Sequence, residues 1–173
     1  MSKSKKIKRY LKELRSSIRS FFLYKKSKTL VQQLKTILAE LPDSIPVLVV
    51  SYNNGIYVDN TCRQLNKFGI KPIIIDNDST SKKTLQILDK LEKSGSAFIA
   101  RSKHNFGHEV GFIQPVYDII PEVFAYTDPD LQYNDNLPEN FLDILSQLTV
   151  DYSVFKAGFA LGLKPEDKLK DTT

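Results

Sequence analysis

The chain has 173 residues, 41% of them hydrophobic, 26% charged and 10% aromatic, with 7 glycines and 8 prolines. That composition suits one domain long enough to bury a core, and it excludes collagen-like, coiled-coil-only and disordered chains. The single cysteine, Cys62, excludes an intramolecular disulfide and a cysteine-built zinc cage, and the formal net charge of +5 conceals a strong asymmetry along the chain.

Residues 1–28 hold eleven Lys and Arg against one acid, Glu13, a net charge of +10 that leaves −5 on the remainder. Within this arm Ile7, Tyr10, Leu11, Leu14, Ile18, Phe21 and Phe22 recur at spacings of three and four, which puts them on one side of a helix with cations around the rest. Such a helix can lie on an anionic membrane surface, each cation contributing about 1 kcal/mol, or it can cap a domain core. Nucleic acid is not expected, because neither an aromatic-interleaved basic sheet nor zinc-finger spacing accompanies the cations. The basic start is not followed by an apolar core with a small-residue cleavage site, and the longest apolar runs, such as Ile45–Val50, fall far short of a bilayer span. The expectation is a cytoplasmic chain, peripheral at most on the inner face of a membrane.

Leu30–Leu41 continues as helix and stops at Pro42. Pro46 opens Val47-Leu48-Val49-Val50, a buried strand running into Ser51-Tyr52-Asn53-Asn54-Gly55. Val58–Phe68 reads as helix ending at Gly69, Ile73–Ile75 as a second strand, Lys82–Lys93 as helix ending near Gly95, and Ala97–Ala100 as a third strand. Glu109–Ile120 is expected to be helix, Val123–Tyr126 a fourth strand, Pro138–Leu148 helix and Ser153–Leu161 a last strand. The alternation, with strands apolar throughout, argues for an α/β fold whose mostly parallel sheet is covered by helices on both faces. The organisation is a basic helical arm over 1–44, the α/β domain over 45–163 and a polar tail over 164–173.

In open α/β sheets, ligands bind beyond the carboxyl ends of the strands. Four strand ends here carry polar groups: Tyr52 and Asn53; Asp76 and Asp78; Asn105 and Gly107; Asp128 and Asp130. One pair alone would read as turn and cap chemistry, but four on one edge ask for another explanation. In Thr127-Asp128-Pro129-Asp130 two carboxylates one residue apart can converge on a hard divalent cation, with a proline stiffening the loop between them. Asp76 and Asp78 can accept from a base or ribose, Ser79 or Thr80 can cap the next helix, and Tyr52 offers a flat face for a base. His104 and His108 stand four apart with no helix expected beneath both, so they read as loop polar groups, and Gly107 allows close backbone approach.

Taken in order, Val49-Val50-Ser51-Tyr52-Asn53, Ile74-Ile75-Asp76-Asn77-Asp78-Ser79-Thr80, Asn105-Phe106-Gly107 and Tyr126-Thr127-Asp128-Pro129-Asp130 resemble successive motifs of GT-A glycosyltransferases, similar to the family 2 group. The resemblance covers about residues 45–162 and implies a Rossmann-like nucleotide-sugar-binding domain. By it, Tyr52 and Asn53 line the nucleoside pocket with Asp76, Asp78 and Ser79, and Asn105 and Gly107 form a donor-sugar and phosphate loop. Asp128 faces ribose or sugar and, with Asp130, holds Mn²⁺ or Mg²⁺ on the diphosphate. The implied reaction moves a sugar from a UDP- or GDP-type donor to an acceptor hydroxyl.

The family's acceptor segment and catalytic base normally lie well downstream of the Asp-x-Asp motif, where this sequence offers 43 residues after Asp130 and no acid, Glu166 and Asp167 included, in a recognisably catalytic setting. The expectation is therefore a donor-binding half or an unusually short enzyme, with the base unassigned. Two rivals stand beside it. Asp76-Asn77-Asp78-Ser79-Thr80 also resembles the strand end of haloacid-dehalogenase-type phosphatases, with Asp76 as nucleophile and Asp78 as general acid. Against that, a full strand precedes it and no downstream lysine with paired acids accompanies it. The other rival is a non-catalytic nucleotide-binding or membrane-associated module.

Overall fold

The structure is a computed structural model that describes residues 3–160 and 162. The polar tail expected over 164–173, with Glu166 and Asp167, lies outside the described residues. The chain divides after Leu137 into two compact units.

The first unit opens with one long helix, α1 (Lys3–Ala39), so the basic arm and the segment after it form one rod. Four strands follow: β1 (Val47–Ser51), β2 (Ile73–Asp76), β3 (Phe98–Arg101) and β4 (Ala125–Thr127). They pair in parallel in the order β3-β2-β1-β4. The helices α2 (Gly55–Asn66) and α3 (Lys82–Lys93) form the crossovers from β1 to β2 and from β2 to β3. Both crossovers end in the same way. The Ile70 N–H reaches back to the Leu65 carbonyl and the Ser96 N–H to the Leu91 carbonyl, around Gly69 and Gly95 at φ of 71° and 73°.

Alternate strand residues face opposite sides of the sheet. Leu48, Val50, Ile73, Ile75 and Ala100 face Leu30, Leu34 and Ile37 of α1, with Val110 and Val116 completing that core. The intervening residues Val47, Val49, Ile74 and Ile99 are buried on the other side, where α2 and α3 pack. The sheet is thus covered on both faces, as its unbroken apolar strands require. At the outer edge of β3, the carboxamide of Gln33 donates to the Arg101 carbonyl at 2.9 Å and accepts from the Arg101 N–H at 3.0 Å. One side chain of α1 thereby satisfies both outward backbone groups of an edge residue.

Two expected elements differ. Residues 109–120 form a 3-10 turn (Val110–Phe112) and a single helical turn, α4 (Gln114–Tyr117), instead of one helix. Pro115 is the reason: it has no N–H to give a carbonyl four residues back, so it begins a helix rather than lying inside one. The second unit contains α5 (Phe141–Asp151), whose end is closed by the Val154 N–H on the Thr149 carbonyl with Ser153 at φ 51°. That reversal directs residues 153–160 into irregular chain, and no strand forms there among the described residues.

Because Leu34 is fully buried between α1 and the sheet, Leu34→Ala should cost about 2–5 kcal/mol of stability in urea unfolding. A loss within about 0.5 kcal/mol, the scale of an exposed substitution, would show that α1 contributes little to the core.

Candidate functional site

The strand order makes the first two crossovers move away from β1 in one direction and the third return past it to β4. At such a reversal the loops after the flanking strands diverge and leave a crevice at the carboxyl edge. Register brings the motif-bearing ends level: Ser51 lies opposite Asp76, Asp76 opposite Arg101, and Val49 opposite Thr127. The loop after β4 therefore flanks β1 on one side and the loop after β2 flanks it on the other, about 10 Å apart across two strand spacings.

Hydrogen bonds between side chains and backbone tie these loops together. Beyond β1, the Asn54 carboxamide oxygen accepts from the Ser51 hydroxyl at 2.9 Å and the Tyr52 N–H at 3.2 Å. Asn53, at φ 56°, gives its N–H to the Ser79 hydroxyl at 2.9 Å, and its carboxamide oxygen accepts from the N–H groups of Thr80 and Ser81, both at 2.8 Å. Asn53 thus binds the first loop to the start of α3, whose N-cap is Ser81. Tyr52 stays half exposed beside it.

Asp76 is 3% exposed, and its Oδ1 accepts from the Ser79 N–H at 3.2 Å. Asp78 stands exposed at φ 69°, outside this network of buried groups. Asn77, 1% exposed between the two acids, holds the third loop: its Nδ2 donates to Asn105 Oδ1 at 3.0 Å and the Gly107 carbonyl at 2.8 Å, and its Oδ1 accepts from the Phe106 N–H at 2.9 Å. Asn105 Oδ1 also receives the Gly107 N–H at 2.8 Å. Four hydrogen bonds thus fix the turn that carries Asn105 and Gly107.

In the fourth loop Asp128 and Asp130 are exposed and Pro129 between them is buried. Thr61 of α2 donates its hydroxyl to the Pro129 carbonyl at 2.6 Å. Gln64, one turn on, donates to the Leu131 carbonyl at 3.1 Å and accepts the Tyr133 N–H at 2.7 Å. Upstream, the Tyr126 hydroxyl donates to the His108 carbonyl at 2.6 Å and receives the Gly111 N–H at 3.3 Å. The Tyr126 ring lies so close to Gly111 that a Cβ there would collide with it. Burial pushes the Tyr126 phenol up to about 12, with Asp128 and Glu109 adding to the rise and the Gly111 N–H opposing it. Burial also raises the Tyr133 phenol, against a hydrogen bond with Thr127.

The family model for glycosyl transferase family 2 matches residues 47–169. The chain belongs to that family. No curated protein matches the sequence. As a family 2 domain it carries glycosyltransferase function in the general sense, and its four parallel strands and covering helices are those of a Rossmann-like GT-A fold. Among the described residues no three His, Cys, Asp or Glu gather as a metal site. The expected pair, Asp128 and Asp130, fits a cation that takes one or two carboxylates and completes its shell with substrate phosphates and water. His104 packs edge-on against Phe106, and His108 faces Glu109 at 3.8 Å.

Three residues that organise the site are absent from the sequence-derived set: Asn77, Thr61 and Gln64. The available signal was polarity in apolar surroundings, since Thr61 and Gln64 share the buried side of α2 with Val58, Cys62 and Leu65.

The Tyr126 phenol supplies a pH test. Its native value lies above the ordinary 10, so between about pH 10 and 12 the unfolded chain loses a proton that the native state keeps, and stability falls across that window. Tyr126→Phe should flatten this alkaline slope in denaturant titrations and cost about 0.5–1.5 kcal/mol at neutral pH. An unchanged slope would assign the decline to other groups.

Proposed function

We propose that the crevice beside β1 binds the nucleotide diphosphate sugar, of UDP or GDP type, whose glycosyl group the enzyme transfers to an acceptor hydroxyl. The observation that carries this reading is the loop 127–130. Its proline is buried and anchored, and its two carboxylates are both exposed at the point where the strand order reverses. A Mn²⁺ or Mg²⁺ held by Asp128 and Asp130 would stabilise charge developing on the departing diphosphate. The half-exposed ring of Tyr52 suits stacking with a base, and Asp78 suits a ribose or base donor. Buried Asp76 and Ser79, with Asn53, form the floor against which the nucleoside rests. Asn105 and Gly107 present the turn nearest the donor's sugar and phosphates. Asp76, buried with one oxygen engaged by Ser79, is better placed to bind than to attack phosphorus, which favours this reading over the phosphatase one.

Thermal-shift titration with UDP and GDP tests the site without an acceptor, since a ligand that binds only the native state raises Tm. Stabilisation should require Mn²⁺ or Mg²⁺ and disappear in Asp130→Ala. Equal stabilisation of that variant, or none of the wild type, would refute the assignment.

We infer further that the first half of α1 docks on an anionic membrane surface. Tyr10, Phe21, Phe22 and Tyr24 are exposed, as are Lys5, Lys25, Lys26 and Lys28. Phe21 and core-facing Leu30 are nine residues apart, about half a revolution at 3.6 residues per turn, so Phe21 projects away from the sheet, whereas Phe22 lines a cleft with His104, Asn105 and Phe106. The side chains of Ile7, Leu11, Leu14 and Ile18, expected on the same apolar side, lie outside those described. No helix among the described residues is long and apolar enough to cross a membrane, and attachment would be interfacial. Replacing Tyr10, Phe21 and Tyr24 together with Ser should weaken binding to phosphatidylserine-containing vesicles about tenfold or more, by removing buried apolar area. Tm should be unchanged. Equal vesicle binding would exclude this surface.

A further inference from the structure

The loop carrying Asp128 and Asp130 has no regular secondary structure beyond Thr127, yet its side chains alternate strictly. Residues 128, 130 and 132 are exposed, whereas 129 is buried and 131 and 133 are partly buried. A period of two is expected of a strand held by a neighbouring strand, and here there is none beyond Thr127. The backbone partners come from α2 instead. Thr61 takes the carbonyl of residue 129, and Gln64 takes the carbonyl of 131 and the N–H of 133. All three contacts fall on the odd-numbered residues. Thr61 is fully buried and Gln64 nearly so, which keeps water from competing for these bonds.

The geometry points to Thr61 and Gln64 as a latch that fixes the register of the metal-binding loop, acting as positioning residues for Asp128 and Asp130. Fixing the odd residues against α2 sends both carboxylates to the free side, whereas a slip of one residue would turn them inward and bring Pro129 and Leu131 out. Two carboxylates one residue apart can meet one cation only while both stay on that side. The role rests on the donor-site reading for its consequence, and on the protein alone for its structural part.

Both parts can be measured on the full chain. Thr61→Val keeps the side chain's shape and removes the donor, Thr61→Ser restores it, and Gln64→Met removes both amide contacts at similar length. The Mn²⁺-dependent gain in UDP or GDP affinity, taken as the ratio of calorimetric Kd without and with Mn²⁺, should fall about tenfold in Thr61→Val and Gln64→Met and recover in Thr61→Ser. In the ligand-free protein, the Tyr133 amide, which Gln64 holds, should exchange faster in Thr61→Val and Gln64→Met while β1, β2 and β3 stay slow, which separates loss of the latch from loss of the fold. Variants that keep the Mn²⁺-dependent gain, or the wild-type exchange rate at Tyr133, overturn the latch. Wild-type protein that binds neither nucleotide with Mn²⁺ overturns the donor site, and the exchange data then judge the latch by themselves.

Discussion

A parallel sheet brings every strand to its end on the same edge, and the backbone and side-chain polar groups collected there must find partners without a next strand to supply them. In this protein the partners are short carboxamides and hydroxyls. Asn53 joins the loop after β1 to the loop after β2, Asn77 joins that loop to the one after β3, and Thr61 with Gln64 holds the loop after β4. The groups that build the crevice are thus in part the groups that keep its loops in place. Rigid loops at a ligand edge suit a transferase domain, because donors fixed in advance need not be reorganised when charge develops.

The sheet and the polar strand ends along its carboxyl edge were legible in the sequence because each rests on a local pattern. Apolar β-branched runs bounded by Pro, Asn and Gly mark Val47–Ser51 and Ile73–Asp76, and glycines at 69 and 95 mark the helix ends that the structure bears out. The same holds for the family, whose model matches from residue 47. What was hidden depends on contacts distant in sequence. A helix was expected over 109–120, but Pro115 limits it to a single turn and Tyr126 takes the space beside Gly111. The apolar residues between 153 and 161 look like a strand, yet Ser153 closes a helix at φ 51° and the described residues after it stay irregular. The assignments of Tyr52, Asp78, Asp128 and Asp130 remain proposals about exposed side chains. Asn53 and Ser79 already hold structural hydrogen bonds, and any part they have in binding runs through the shape they impose.

The first helix shows how one element can serve two surroundings. Its later turns place Leu30, Leu34 and Ile37 in the core, and its middle turns place Phe21 and Tyr24 in solvent on the other side. Because Phe21 and Leu30 face different sides, the helix has no single amphipathic stripe from its middle turns to its last. The change of side near Ser27, which is buried, marks where domain packing takes over from exposed surface. A rigid rod across that point would transmit the orientation of whatever the basic half contacts to the sheet.

Gln33 has one more consequence. Its carboxamide occupies the outward N–H and carbonyl of Arg101, the two groups through which a foreign extended peptide would dock onto the rim of the sheet. At Arg101 the rim of β3 is thereby closed to an incoming strand by an amide carried on α1. Loss of that amide would leave both groups of Arg101 facing outward without a partner from α1.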